Sequence, residues 1–310
     1  MTRVDTGPAV LETRPPDGRP AARPAARPAA RPAARSEQGT GIDWLSGIPF
    51  IVLHLAPLAL LLVGFGVGDL VLAIALYAIR MFFITAGYHR YFSHRSYRLS
   101  RPAQLVMAVG GVTAAQKGPL WWASHHRRHH RSTDVAGDPH SPNDGWWWSH
   151  AGWVLSRRSK RAEPGLVADL SRYPELRVVD RYQIVGPWLL GALCLWVFGW
   201  GGLVAFAVST VALWHATFSV NSVAHRVGRR RYETPDTSRN CWPVALLTFG
   251  EGWHNNHHQY PPSARQGHRW WELDVTYLVL RTMAVFHLLS DLRQPSARVL
   301  ATRPARSLSQ

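Results

Sequence analysis

The chain has 310 residues, 46% hydrophobic and 17% charged, and its 35 lysines and arginines against 19 acids give a formal charge of +16. That charge, with a pI near 11.0, suits nucleic acid or an anionic membrane surface. No nucleic-acid module is recognisable, and long apolar stretches decide for the membrane. The only cysteines, Cys194 inside an apolar run and Cys241, exclude a disulfide framework and a thiolate metal site.

Residues 1–40 repeat an Arg-Pro-Ala-Ala unit with almost no large apolar side chains. That composition predicts a disordered, partly polyproline-like tail, not a cleavable leader. From Ile48 to Ala86 the chain is almost continuously apolar, interrupted at Gly64-Phe65-Gly66-Val67-Gly68-Asp69. Two spans fit, near 48–67 and 69–87, each long enough for about 30 Å of hydrocarbon. Within them His54 reads as a packed or interfacial histidine and Arg80 as an arginine reaching the interface. Residues 88–183 are polar and basic; inside them Ala103 to Gln116 is apolar but too short to span, which predicts an interfacial helix. A second apolar block, Ile184 to Val220, breaks at Phe198-Gly199-Trp200-Gly201-Gly202 and predicts spans near 184–200 and 202–220. The rest is polar and basic, with one helix candidate from about Trp271 to Leu292 and a disordered tail over 296–310.

The loops set a topology. Neither break contains a lysine or arginine, whereas the tail, the central segment and the C-terminal segment hold every basic residue except Arg80. By the positive-inside rule those three segments and both termini are cytoplasmic and both hairpins face outward. The expected fold class is an all-α membrane protein: four transmembrane helices capped by a cytoplasmic helical domain, with the membrane domain over 41–295. An Ala/Arg/Pro-rich composition of bacterial type would put it in the cell membrane.

Histidine is the chain's most informative residue. His89 and His94 stand in His-Arg-Tyr-Phe-Ser-His, His125, His126, His129 and His130 crowd into six residues, and His254, His257 and His258 form Gly-Trp-His-Asn-Asn-His-His. Imidazole is the commonest metal ligand, and three such clusters exceed what one tetrahedral zinc can use, which argues for two metals. On a helix His126, His129 and His130 lie at i, i+3 and i+4 on one face, and His254, His257 and His258 repeat the offset. His89 and His94, five apart, cannot share an α-helical face and are expected at a helix end or bend. Every cluster follows a span or faces one, on the cytoplasmic side. Asn221 and His225, i and i+4 where the fourth span ends, could point into the same site.

These motifs together resemble the membrane fatty acyl desaturases of the stearoyl-CoA (delta-9) type and their bacterial relatives. The resembling residues are His89–His94, His126-Arg-Arg-His-His130, Asn221-Ser-Val-Ala-His225 and Gly250 through His258. Asp138-Pro-His140 and Ser149-His-Ala-Gly-Trp153 look like the family's connecting motifs. The resemblance covers roughly 45–295. It implies a di-iron enzyme that uses O2 and two electrons to insert a cis double bond into a saturated long-chain fatty acyl thioester. Its implied iron ligands are His89, His94, His126, His129, His130, His225, His254, His257 and His258, with Asn221 acting through water. His125 falls outside that set and stands where the family usually has an acidic residue. Arg157 and Arg158 match a basic pair that binds the head group. The Ser124-His125 pair replaces an Arg-Asp pair of the CoA-using enzymes, which opens the carrier to acyl-carrier protein or lipid.

The chemistry is consistent with such residues. An unactivated methylene offers no acid, base or polar handle, so a redox metal must do the hard step and the protein supplies geometry and electronics. Carboxylates are expected to orient the rings through their other nitrogens, with Asp134, Asp138, Asp144 and Glu251 nearest. Aromatics near the site, including Trp122, Trp153 and Phe218, are candidate walls of an acyl tunnel. With no flavin, haem or iron–sulfur motif in the chain, electrons must come from an external donor: a ferredoxin, a cytochrome b5-like protein or a reductase. A histidine-box hydroxylase of alkyl chains or carotenoids is the alternative enzyme, and a metal transporter the alternative outside enzymes.

Overall fold

The structure is a computed structural model and describes residues 41–302; the expectations for 1–40 and for 303–310 lie outside the described residues. Among the described residues there is no β-strand, only isolated bridges such as Ile42 with Ser156 and Arg229 with Asn240. The long helices at Val67–Phe82 and Val185–Ser222 follow apolar runs.

Helix α1, Trp44–Leu55, continues through a tighter turn at Ala56–Ala59 into Leu60–Val63. Gly64, at φ 69°, ends it. Asp69 then accepts from the Gly66 backbone N–H at 3.0 Å and opens α2, Val67–Phe82. Without a break α2 passes into a π-helix, Phe83–Ser93. Ser100 caps α3, Arg101–Val112, and Pro119 stands in the first turn of α4, Pro119–Arg131. A carboxylate from a different element finishes the start of α4. Asp180, on α5 (Pro174–Arg181), accepts from the N–H groups of Leu120 at 2.9 Å and Trp121 at 3.0 Å.

The helical stretch Val185–Ser222 is two helices, α6 (185–198) and α7 (200–222), because Gly199 sits at φ 67°, ψ −157°, a conformation for glycine alone. The chain turns back there. A Cβ placed on Gly202 would lie 2.5 Å from the carbonyl oxygen of Cys194, and one on Gly191 would lie 3.3 Å from the Phe206 ring. In a straight helix eight residues would separate the first pair by about 12 Å. Beyond α7 come α8 (Trp242–Leu247), α9 (His254–Gln259), α10 (Val275–Val285) and a short turn of helix at Ala297–Leu300. The predicted helix over Trp271–Leu292 thus shrinks to α10, and the interfacial helix over 103–116 becomes α3.

Val67–Ser93 and Val185–Ser222 are long and apolar enough to cross a membrane, and Trp44–Ala59 is a shorter apolar helix. Their outer faces expose Ile48, Ile51, Leu55, Leu70, Val71, Ile74, Leu189, Leu193 and Trp196. A contiguous apolar surface of this kind is stable against lipid, not water. Arg80 corrects one expectation: it does not reach an interface. It is 1% exposed and donates to Thr210 Oγ1 at 2.7 Å, Ser209 Oγ at 2.5 Å and the carbonyls of Leu76 and Thr113. All that hydrogen bonding satisfies a buried cation and ties α2 to α7. His54, as expected, packs, stacking on Phe50 and bonding to His215 at 3.0 Å.

Candidate metal centre

The polar segments fold over one end of the helix pack and bring the nine expected histidines together in two groups. His89, His94, His126, His130 and His257 form one; His129, His225, His254 and His258 form the other. Within each group, one nitrogen per ring lies within 4.8 Å of every other.

The split follows from helix geometry. On α4 the i, i+4 pair His126 and His130 serves the first group and His129 turns to the second. On α9 the pair His254 and His258 serves the second group, and His257 turns to the first. Two short helices therefore each give a pair to one group and a single ring to the other, so the three rings of each motif do not share one destination. His89 and His94 meet for a reason absent from the α-helical reading. A π-helix bonds i to i+5, and the His94 N–H donates to the His89 carbonyl at 3.3 Å, bringing the rings to 4.9 Å between centroids. Arg127 locks this to α4 by donating to the carbonyls of Phe92 at 2.7 Å and Ser93 at 2.9 Å. His225 follows the end of α7, and Asn221, on its last turn, lines one cavity with His254.

Four carboxylates hold ring Nδ1 atoms. Glu251 pairs with His89, Asp138 with His129 at 3.0 Å, Asp134 with His225 at 3.3 Å and Asp236 with His258 at 3.0 Å. Burial alone would raise the Glu251 carboxyl, but His89 and Arg90 outweigh it and hold it at about 2. His225 and Thr237 likewise hold Asp134 at about 2 against burial. A carboxylate only accepts, so Nδ1 of each paired ring carries the proton and Nε2 presents a lone pair. Asp134, Asp138 and Glu251 were expected in this role; Asp144 lies in the turn Pro142–Asp144. Asp236 was missed: in Glu-Thr-Pro-Asp-Thr-Ser it reads as a turn residue, and no spacing links it to a histidine. Arg90, itself fully buried between Glu251 and Asp274, fixes the Glu251 side chain by donating to it at 2.9 Å.

The inward nitrogens fit a metal. His129 Nε2 and His258 Nε2 are buried with no hydrogen-bond partner. Facing pairs such as His89 and His257 (3.1 Å) and His225 and His254 (3.0 Å) set Nε2 against Nε2. With metal–nitrogen bonds of about 2.0–2.1 Å, ligands at right angles would be separated by about 2.9 Å. Burial, then neighbouring histidines, push His94, His126, His130, His254 and His257 well below the usual imidazole range, and His258 falls to about 4. These six rings are therefore neutral near pH 7, the form that binds metal. A further grouping, His129, Asp138 and His140, shares its histidine with the second group.

A cavity of about 710 Å³ abuts the first group, and His89, His126, Glu251 and His254 line it. Trp122, Trp153 and Phe218 line it as well; Trp122 stacks on His126 at 5.0 Å. Arg157 and Arg158 are not among its lining residues. They form a turn with Ser159, and Arg157 donates to the Ile42 carbonyl at 3.2 Å. Lys117 and Lys160, the chain's only lysines, line the cavity instead. Two lone lysines in an arginine-rich sequence were the available signal.

The profile of the fatty acid desaturase family matches residues 65–292. The chain belongs to that family. An sn-1 stearoyl-lipid 9-desaturase of Anabaena variabilis is 37% identical over 257 residues, 81% of this chain and 94% of the relative. An enzyme of the same name from Synechocystis is 36% identical, covering 71% and 70% of the two chains. An acyl-CoA 5-desaturase of Anemone leveillei is 38% identical, covering 73% and 72%. The protein is thus a fatty acid desaturase, an oxidoreductase that introduces double bonds into acyl chains, and its relatives support the delta-9 type.

Proposed function

We propose that this desaturase uses O2 and two iron ions to place a cis double bond at the delta-9 position of a saturated long-chain acyl group. The balance is R–CH2–CH2–R′ + O2 + 2 e⁻ + 2 H⁺ → R–CH=CH–R′ + 2 H2O. The observation that carries the reading is the nine imidazoles gathered in two groups beside an apolar cavity. His89, His94, His126, His130 and His257 would hold one iron. His129, His225, His254 and His258 would hold the other, with Asn221 reaching it through water. Iron supplies the oxidising power that an unactivated methylene demands.

The chain's own residues do the rest. Glu251, Asp138, Asp134 and Asp236 keep protons on Nδ1 and lone pairs on Nε2. Trp122 separates the acyl chain from the His126 ring, and apolar walls exclude water; each buried methylene contributes about 0.8 kcal/mol to holding the chain. The same reading takes α1 with its extension, Val67–Ser93, α6 and α7 as four spans, both termini cytoplasmic, in the cell membrane. An external donor, a ferredoxin, cytochrome b5-like protein or reductase, then docks on the basic face over the histidines. Exposed apolar flanks on all four segments support the spans.

The test is fatty-acid profiling by gas chromatography and mass spectrometry of a host expressing the chain. A new delta-9 alkene, absent with His129→Ala or His257→Ala, is expected, with iron content lowered in both. A hydroxylated product without alkene would replace this reading with a hydroxylase, and full activity in both variants would remove the ligand assignment.

A further inference from the structure

Two short helices of the C-terminal segment, α8 and α10, each bury one face against the protein and leave the other apolar and uncovered. On α8 Val244 and Ala245 are buried, while Trp242 (67% exposed), Leu246 and Leu247 (54% each) face outward. On α10 Thr276, Tyr277 and Leu280 are buried, while Leu278, Val279 and Val285 are exposed, with Phe286 (69%) and Leu288 just beyond. α8 has no charged residue and α10 has only Arg281. Apolar faces of this kind mark contact with something other than water.

What covers them follows from where they are tied to α2. The Tyr77 hydroxyl donates to the Leu247 carbonyl at 2.6 Å, and the hydroxyls of Thr85 and Thr276 bond at 2.8 Å. Counted at 1.5 Å per residue from Asp69, the charged residue in the first turn of α2, Tyr77 lies about 12 Å along the segment and Thr85 about 24 Å. A hydrocarbon core is about 30 Å thick, so a segment Val67–Ser93 that crosses it carries both attachment points inside it. Ile74 (59%) and Ile79 (57%) flank Tyr77 and are exposed, so the apolar surface of α2 continues onto α8 through the Tyr77–Leu247 contact. Non-helical backbone at that depth has to be covered by protein, and Thr248, Gly250, Glu251 and Gly252, which follow α8, are all buried. The far end of α10 rises out again: Ser290 exchanges backbone hydrogen bonds with Arg98 at 2.8 and 3.0 Å, five residues past the π-helix. Before α10, Trp270 and Trp271 are exposed and Arg269 lies 6.0 Å over the Trp271 ring, the mix of aromatic and cation found where a membrane meets water.

We propose that α8 dips into the cytoplasmic leaflet and α10 lies along its boundary, with lipid chains covering the outer faces of both. This rests on the membrane reading above and adds a seat in one leaflet to the four spans. The seat bears on the metal centre. α8 packs on the loop that carries Glu251, so closely that a Cβ on Gly252 would lie 2.1 Å from the Ala245 nitrogen, and Glu251 pairs with His89. A helix held by the leaflet thus holds the carboxylate that orients this ring. His89, four residues past Thr85, stands at the hydrocarbon boundary.

The experiment uses the iron-loaded protein in vesicles of phosphatidylethanolamine and phosphatidylglycerol, with single nitroxide labels at Leu246→Cys and Phe286→Cys in a background that lacks Cys194 and Cys241. Ile74→Cys on α2 and Ala168→Cys, at an exposed site between α4 and α5, are the two references. Labels at 246 and 286 are expected to collide several-fold more often with O2 than with a water-soluble nickel chelate, as the label at 74 does and the label at 168 does not. A nickel-accessible label at 246 or 286 beside an oxygen-accessible label at 74 overturns the seat and leaves the membrane reading. Nickel access at 74 as well removes both. Labels at 246 and 286 shielded from both colliders mean that protein covers these faces, a second copy of the chain included, and the seat falls. Should the cysteine-free background lose iron, the unmodified protein is photolabelled with a trifluoromethylphenyl diazirine dissolved in the bilayer. Labelling of 242–247 and 278–288 alongside 67–82 is then expected, and labelling of 67–82 without them contradicts the seat.

Discussion

At the scale of single residues, the centre depends on groups that never touch the metals. Asp236 accepts from His258 Nδ1 at 3.0 Å and also from the Ser238 N–H and the Thr234 hydroxyl, each at 2.9 Å. Asp236→Asn keeps the shape but loses the charge that pins the ring. Outer partners of this kind carry about 10–100-fold in metal affinity, so iron should leave this variant first during dialysis against a chelator. Retention equal to the parent protein would show that His258 needs no partner. His125 is a different case. It is buried between Trp121 and Trp153, with Nδ1 2.9 Å from the Trp121 carbonyl. Burial pushes it down to about 4 despite that bond. Between the ordinary value of 6.5 and about 4, the unfolded chain takes up a proton that the folded chain refuses. Stability therefore falls with falling pH across that window, by about 1.4 kcal/mol per pH unit. His125→Gln should remove one proton's worth of this slope when unfolding midpoints at pH 7 and pH 5 are compared, and an unchanged slope would contradict it.

At the scale of elements, what matters most is the join between α2 and the π-helix, and it rests on close packing. Gly111 of α3 lies against Tyr88, so tightly that a Cβ there would fall 2.0 Å from the ring. Tyr88 is fully buried and precedes His89. Gly111→Ala must push Tyr88, and His89 with it; overpacking of this kind costs about 1–3 kcal/mol. The expected outcome is a lower unfolding midpoint together with reduced iron, and loss of neither would mean the π-helix tolerates the shift. The comparison with sequence reasoning is sharpest in these elements. The two apolar blocks and their glycine breaks announced where long apolar helices start and turn, because a break such as Gly199 has a local cause, its positive φ. The pairing of His89 with His94 was not legible, since a π-helix is chosen by packing against α3 and α4 and leaves no periodic signature. Nor did the i, i+3, i+4 spacing show that each motif divides between two groups, which depends on α4 and α9 facing one another. The lining role of Lys117 and Lys160 arises likewise from folding, since 43 positions separate them.

For the whole molecule, the centre is also what closes the polar cap. Its histidines come from four separated places: the π-helix and its end, α4, the segment after α7, and α9. Without a cation, the Nε2 lone pairs of His129 and His258 stay buried with no partner, an arrangement that low dielectric makes costly. Metal binding and closure of the cap are then one equilibrium. At a free metal concentration 100 times Kd, binding adds about 2.7 kcal/mol per site. The helix pack draws its stability from apolar packing and from Arg80 bridging α2 to α7, none of which involves the histidine groups. Chelation should therefore lower the thermal midpoint and speed amide exchange in 225–241 and 254–260. Exchange in 67–82 and 203–214 should hold steady, and reloading with iron should restore the first set. Uniform exchange changes across both sets would show that the cap and the helix pack unfold as one unit.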